Sequence, residues 1–227
     1  MADRPILFSA PMVRALLAGE KTQTRRALKP RAGVTVAALE DEGERNGDVL
    51  RCARHQVREP RIEAGDRLWV RESGHLLREC YDHAPPDDQW RDAGFQHAVD
   101  GAVVPIRPYD PPISAWIGDC ARISRPSIHM PRWASRLTLL VEDVRVQRLQ
   151  DISEADAIAE GVRQDAVGAG TFIGREGPGR WVTPWPTAVE AFSDIWSSIN
   201  GPDSWTANPW VAAISFKVAL ANIDQPA

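Results

Sequence analysis

The sequence predicts an α+β fold, a small mixed β-barrel with a few short helices, on three observations. Short apolar runs at strand spacing recur along the chain, around Ile6–Phe8, Leu68–Val70, Leu137–Val146 and Trp210–Val218. Helical periodicity is confined to short segments, and no long helix separates consecutive strands, which argues against a parallel doubly wound sheet. No internal repeat or low-complexity linker interrupts the chain, so one decorated domain over residues 1–227 is expected.

The elements follow from local chemistry. Ile6-Leu7-Phe8 reads as a strand running into a helix, with Ser9 as N-cap and Pro11 in the first turn, where a missing N–H costs nothing. Met12, Val13, Leu16 and Leu17 form its apolar face, and Gly19 closes it. Residues 27–63 are charged and without period, with Asp48 to Cys52 as a strand entry. Gly65-Asp66 makes a turn into the strand Arg67–Arg71, with Glu72 at its end. Prolines from Pro85 to Pro112 break any regular period, so about 73–131 reads as a loop-like insertion.

Leu137, Leu139, Val141, Val144 and Val146 form one or two strands, with a bulge or turn at Glu142-Asp143. Asp151 to Gly161 is a short helix, capped by Ser153 with Asp156 three residues on and stopped at Gly161. About 162–186 carries five glycines and reads as a second loop insertion. Pro186 opens a helix with Val189, Phe192, Trp196 and Ile199 on one face, ended by Asn200-Gly201. Trp210, Ala212, Ile214, Phe216 and Val218 alternate as a half-buried strand, and the tail beyond Leu220 reads as frayed.

Composition narrows the function. The chain of 227 residues is 43% hydrophobic and 26% charged, as in a globular protein able to bury a core. No apolar run approaches the roughly 20 residues of a membrane helix, and no secretion signal opens the chain, so a cytoplasmic location is expected. Three widely spaced cysteines make no disulfide framework. A net charge of −4 argues against gripping long nucleic acid by counterion release. Nine tryptophans are expected to anchor core and loops, with one or two available to stack on a base.

The chemistry-bearing stretch is Gly19-Glu20-Lys21-Thr22-Gln23-Thr24-Arg25-Arg26. A lysine and a threonine three residues apart bring an amine near a hydroxyl, as acyl transfer needs, and the preceding helix gives them rigid support. A threonine hydroxyl becomes nucleophilic only when a base removes its proton. Lysine serves as that base when burial or nearby positive charge, here from Arg25 and Arg26, lowers its proton affinity.

Gly19 to Arg26 resembles the Gly-x-Lys-x-x-x-x-Arg signature of the ASCH domain, whose β-barrel is like that of the PUA RNA-binding module. Gly65-Asp66 followed by Leu68-Trp69-Val70 is similar to that family's Gly-Asp-strand element, and Glu154 to Gly161 to its short helix with a glutamate. Asn208-Pro209-Trp210-Val211 resembles the ending of decorated phage and prophage members. Small bacterial members hydrolyse the amide of N4-acetylcytidine with a Lys, a Thr and a Glu. The resemblance therefore implies Lys21 as base, Thr24 as nucleophile and Glu160 as proton shuttle or water activator. Glu160 is placed by the pattern Glu154-x-x-Ala157-x-x-Glu160. Arg26 is then a binder of a base carbonyl or of the oxyanion, with Thr22, Arg25 and Glu72 also in the substrate-binding set. Glu72 competes with Glu160 for the carboxylate role, its plainer reading being an ion pair with Arg67 or Arg71.

No cofactor or metal is expected for this reaction. Cys52/His55 and Cys80/His83 have zinc-like Cys-x-x-His spacing, but the gap between the pairs is long for a compact finger. His129 reads as structural. Basic residues recur at Arg25, Arg26, Lys29 and Arg31 and at Arg122, Arg125, Arg132 and Arg136, as a solvated face or as a groove for RNA. The expected partner is a modified cytosine nucleoside, with no membrane. A PUA-like RNA-binding module and an RNA-cleaving ribonuclease are the alternatives.

Overall fold

The computed structural model describes residues 1–29, 60–79, 91–106, 121–165, 170–174 and 184–225. These form a mixed α+β fold of mostly strands with few helices. The described strand pairings make open sheets, and no ring closes among them. Two compact units emerge: Met1–Leu17, Asp66–Leu140 and Val218–Ala227 in the first, and Ala18–Gly65 and Val141–Lys217 in the second.

In the first unit β1 (Asp3–Leu7) runs parallel to β3 (Arg67–Arg71), in register from Asp3 opposite Arg67 to Leu7 opposite Arg71. The other edge of β3 pairs antiparallel with the start of β8 (Thr138–Arg148), Leu68 opposite Leu139. Asp66 holds this end together by accepting from the Ala2 N–H at 2.6 Å and from Arg4 Nε at 3.3 Å. Helix α1 (Ala10–Leu17) follows β1, and the Ser9 carbonyl accepts its first bond, from Val13 N–H at 2.9 Å. Val13 and Leu16 are buried, as the apolar face requires.

The stretch expected to be loop folds instead into a four-stranded antiparallel sheet. Strands β4 (Gly74–Glu79), β5 (Arg91–His97), β6 (Val103–Pro105) and β7 (Ala121–Arg125) lie in the order β6-β5-β4-β7. In its two central strands the alternation is lost because neighbours are buried on both faces: Leu76 with Leu77 in β4, and Ala93, Gly94 and Phe95 in succession in β5. Among the described residues, the proline of this sheet is Pro105, at the end of the edge strand β6, where a missing N–H is tolerated. Gly74 lets β4 lie on β5, since a Cβ there would sit 2.3 Å from the Gln96 carbonyl oxygen and 2.4 Å from Phe95 Cε1. The tail expected to fray is pinned. Ile223 is buried, and the Asn222 side-chain amide donates to the carbonyls of Arg132, Trp133 and Ser135.

In the second unit β2 (Gln23–Ala27) pairs antiparallel with β11 (Trp210–Ala219), Thr24 opposite Ile214 and Arg26 opposite Ala212. Strand β11 is buried on both faces through its first half, Val211 and Ala213 as well as Ala212 and Ile214, so it exceeds the half-buried strand expected. Strand β8 runs through Glu142-Asp143 without a break. Helix α2 (Glu154–Ala159) is capped as read: Ser153 Oγ accepts from Asp156 N–H at 3.1 Å. Gly161, at φ +97°, turns the chain out of it. Helix α3 (Ala188–Asn200) starts at Thr187, whose Oγ1 accepts from Glu190 N–H, and the Glu154 carboxylate accepts from Ala188 N–H at 2.7 Å.

Leu149, Ile152, Ala157, Val162, Ala191, Phe192, Trp196 and Val211 make the core of this unit. Ile199 is exposed, and Ala191 rather than Ile199 completes the buried face of α3. In the second stretch read as loop, β9 (Arg163–Gln164) and β10 (Phe172–Ile173) form a small ladder.

The Gly74→Ala variant is expected to lose about 1–3 kcal/mol, because backbone rather than a flexible side chain blocks the new methyl. Thermal unfolding should show a midpoint at least about 3 °C below wild type; an unchanged midpoint rules out the close approach of β4 to β5.

Candidate functional site

Strand β2, α2 and β8 of the second unit assemble a buried polar cluster. Alternation along β2 places Gln23 and Arg25 on one face and Thr24 and Arg26 on the other. Lys21 precedes the strand and is free of that alternation. The segment is anchored by backbone on two sides: Thr22 N–H donates to Ala159 O at 2.8 Å, and Thr22 O accepts from Phe216 N–H at 2.9 Å. On α2, Asp156 and Glu160 stand four residues apart, so they share a face.

Those two pairings meet. Lys21 Nζ donates to Glu160 Oε2 at 2.7 Å and to the Glu160 carbonyl at 2.6 Å. Arg25 Nη1 donates to Glu160 Oε1 at 3.2 Å and also to Gln23 Oε1, and its Nη2 donates to Asp156 Oδ2 at 3.0 Å. Gln23 Nε2 donates to Asp156 Oδ1 and to Ser215 Oγ, both at 3.1 Å. Arg145 of β8 reaches Asp156 Oδ1 at 2.9 Å. Lys21 is 1% exposed, and the Arg25 guanidinium also lies over the Phe192 ring at 5.8 Å.

Burial lowers the proton affinity of Lys21 below its ordinary value; Glu160 opposes this by charge and hydrogen bond, and the charges of Arg26 and Arg25 add to it. The net direction is downward. For Asp156, burial acts upward but is outweighed by hydrogen bonds from Arg145 and Gln23 and by the charges of Arg25 and Arg145, holding its carboxyl below the ordinary 3.8.

Of the sequence-predicted residues, the structure brings Lys21, Arg25 and Glu160 into direct contact. Glu160 is buried, at the C-cap of α2, and is no solvated helix end. Thr24 is 2% exposed on the other strand face, beside the half-buried Arg26, whose charge is felt by both Lys21 and Glu160. Thr22 is exposed and contributes its backbone.

Glu72 belongs to the first unit and has its own buried cluster. Arg136 grips it with two bonds, Nε to Oε1 at 3.0 Å and Nη2 to Oε2 at 2.9 Å, and His97 Nδ1 lies 3.0 Å from Oε1. Its expected partners are engaged elsewhere. Arg67 pairs with Asp3 at 2.8 Å, and Arg71 donates to the carbonyls of Ile128 and Met130.

In the second basic group Arg132 pairs with Asp3 and Asp224 and Arg136 with Glu72 and Asp100, while Arg122 is exposed and Arg125 half-buried. His129 is exposed in a short 3₁₀ turn, Ser127–His129, and Lys29 is exposed after β2. Cys52, His55, Cys80, His83, Arg31 and the expected strand entry at Asp48 to Cys52 lie outside the described residues. Among the described residues no three His, Cys, Asp or Glu side chains gather as a metal site. No described helix is long and apolar enough to cross a membrane.

Sequence reading missed Gln23, Asp156, Arg145 and Ser215 as parts of the cluster. A signal for two of them was present: Gln23 lies two residues from Arg25 on a strand and so shares its face, and Asp156 shares its helix face with Glu160. No protein-family model, curated protein or solved structure matches the chain.

Two outcomes follow. Glu160→Ala leaves Lys21 and Arg25 facing an empty pocket and is expected to cost about 3–5 kcal/mol in urea unfolding, more than Lys21→Met, which leaves Glu160 paired with Arg25. Asp156 has a lowered folded-state pKa, so its contribution is present above 3.8 and is lost as pH falls through the folded value. The gap in unfolding temperature between wild type and Asp156→Asn should therefore be widest near pH 6 and close toward pH 3. A gap that stays constant contradicts the ionised pairing.

Proposed function

We propose that the protein is an amidohydrolase that removes the acyl group from N4-acylcytosine nucleosides, converting N4-acetylcytidine to cytidine and acetate. The observation that carries this reading is the buried Lys21–Glu160 pair, formed by the lysine and the glutamate that the motif resemblance selects, with Thr24 three residues along the same segment. A lysine with lowered proton affinity is the residue type needed to activate an alcohol near neutral pH.

The neutral Lys21 amine takes the Thr24 hydroxyl proton as Oγ1 attacks the acyl carbon. The resulting oxyanion is stabilised by a positive donor, Arg26 on the Thr24 face of β2. The C–N4 bond then breaks, with the lysine proton passing to N4 so that cytidine leaves as the neutral amine. Water hydrolyses the threonine ester in the reverse sense, giving the carboxylic acid and free Thr24. Glu160 holds the lysine in place throughout and serves as shuttle or water activator. Arg25 and Thr22 complete the substrate pocket in this reading, and Glu72 remains a candidate binder. No cofactor takes part. A PUA-like barrel of the ASCH type, with insertions near 73–131 and 162–186 and a cytoplasmic setting, belongs to the same proposal.

A small nucleoside is favoured over RNA because the chain carries a net charge of −4 and two arginines of the second basic group, Arg132 and Arg136, are neutralised by carboxylates. RNA binding or cleavage is the reading that replaces it on failure.

Purified protein incubated with N4-acetylcytidine should show conversion to cytidine by absorbance. Lys21→Met, Thr24→Val and Glu160→Gln, each checked for folding, should lower kcat at least about 100-fold. Absence of turnover with acetyl and longer acyl groups sinks the proposal, as does full activity of folded Thr24→Val.

A further inference from the structure

One carboxylate serves two buried cations. Glu160 Oε2 accepts from Lys21 and Oε1 from Arg25, whose side chain is 0% exposed. Arg25 in turn is faced by Asp156 at 3.0 Å, a carboxylate that does not bond Lys21. Negative charge that Arg25 draws from Glu160 is charge that no longer stabilises a proton on Lys21, and in a buried site such competition is weakly screened.

We propose that Arg25 is a positioning residue for Lys21, acting through the Glu160 carboxylate that both cations share, and that Asp156 balances it from the far side. The charged groups around the amine are Arg25 and Arg26 of β2 and Glu160 at the end of α2. Behind them Asp156 of α2 faces Arg25, and Arg145 of β8 faces Asp156. Glu20, adjacent in sequence, is paired with Arg163. Arg25 therefore loosens the lysine proton, and Asp156 limits how far. The catalytic consequence rests on the amidohydrolase reading above; the proton equilibrium of Lys21 does not.

The test is a titration of the lysine side chains. The chain has three lysines, Lys21, Lys29 and Lys217, so protein grown with ¹³Cε-lysine gives three signals, and Lys21→Met identifies the one in question. Arg25→Gln keeps a hydrogen bond and removes the charge; the Lys21 midpoint should move up by at least about half a pH unit, a threefold change in proton affinity. Asp156→Asn should move it down, and Arg25→Lys should leave it near wild type. If N4-acylcytidine is turned over, the rising limb of kcat/KM against pH should move in the same directions.

A Lys21 midpoint unchanged in folded Arg25→Gln and Asp156→Asn overturns the proposal whether or not the protein is an enzyme. The same holds if Lys21 titrates in neither wild type nor Asp156→Asn before alkaline unfolding. Should Arg25→Gln fail to fold, Asp156→Asn alone decides. Shifts as expected without hydrolysis leave the pairing standing and remove the amidohydrolase.

Discussion

The second unit is organised around one interaction, the Glu160 carboxylate buried between Lys21 and Arg25. Removing three charged groups from water is costly, and their mutual attraction repays that cost only when every donor and acceptor is placed. Placement is what the surrounding structure provides. The backbone bond from Thr22 to Ala159 sets the distance between strand and helix, and Lys21 also satisfies the Glu160 carbonyl at the helix end. Gln23, Ser215, Asp156 and Arg145 extend the network to the edge of the unit, where Asp156 and Arg145 meet solvent.

A hydrophobic replacement of similar volume would be expected to serve stability as well as a buried ion pair does. The charges are retained here, and it is on them that the proposed chemistry rests. An amine whose proton is held by one shared carboxylate, in a buried site and under the charge of two arginines, has its proton affinity lowered below that of a free lysine. Thr24, on the opposite face of the same short strand, is held in register by its pairing with Ile214. Thr24 and Lys21 are thus fixed by separate features, sheet pairing for the one and ion pairing for the other.

The first unit repeats the theme with different chemistry. Glu72 is buried against Arg136 and His97, and the guanidinium closes on it in a two-bond fork that a lysine does not make. Arg136 also reaches Asp100 in the turn after β5, so the cluster ties the chain before β8 to the sheet that the prolines had hidden. The carboxylate here is an acceptor locked in place, in contrast to Glu160, which divides its two oxygens between different cations.

Residue patterns alone determined α1, α2 and α3, the strands β1, β3 and β11, and the caps at Ser153 and Gly161, because amphipathic spacing and capping are local properties. The motif resemblance singled out Lys21, Thr24 and Glu160, since each lies in a short local stretch. Residue patterns could not reveal the sheet from β4 to β7, whose central strands β4 and β5 bury neighbouring residues and so lose the period-two signal, nor the pinned tail, which depends on Asn222 meeting three distant carbonyls. Nor could they pair Lys21 with Glu160, 139 residues away, or assign Glu72 to Arg136 rather than to its neighbours Arg67 and Arg71. Local sequence specifies which side chains a strand or helix presents; only the tertiary structure decides which of them share a desolvated space, because that depends on contacts between elements far apart in the chain.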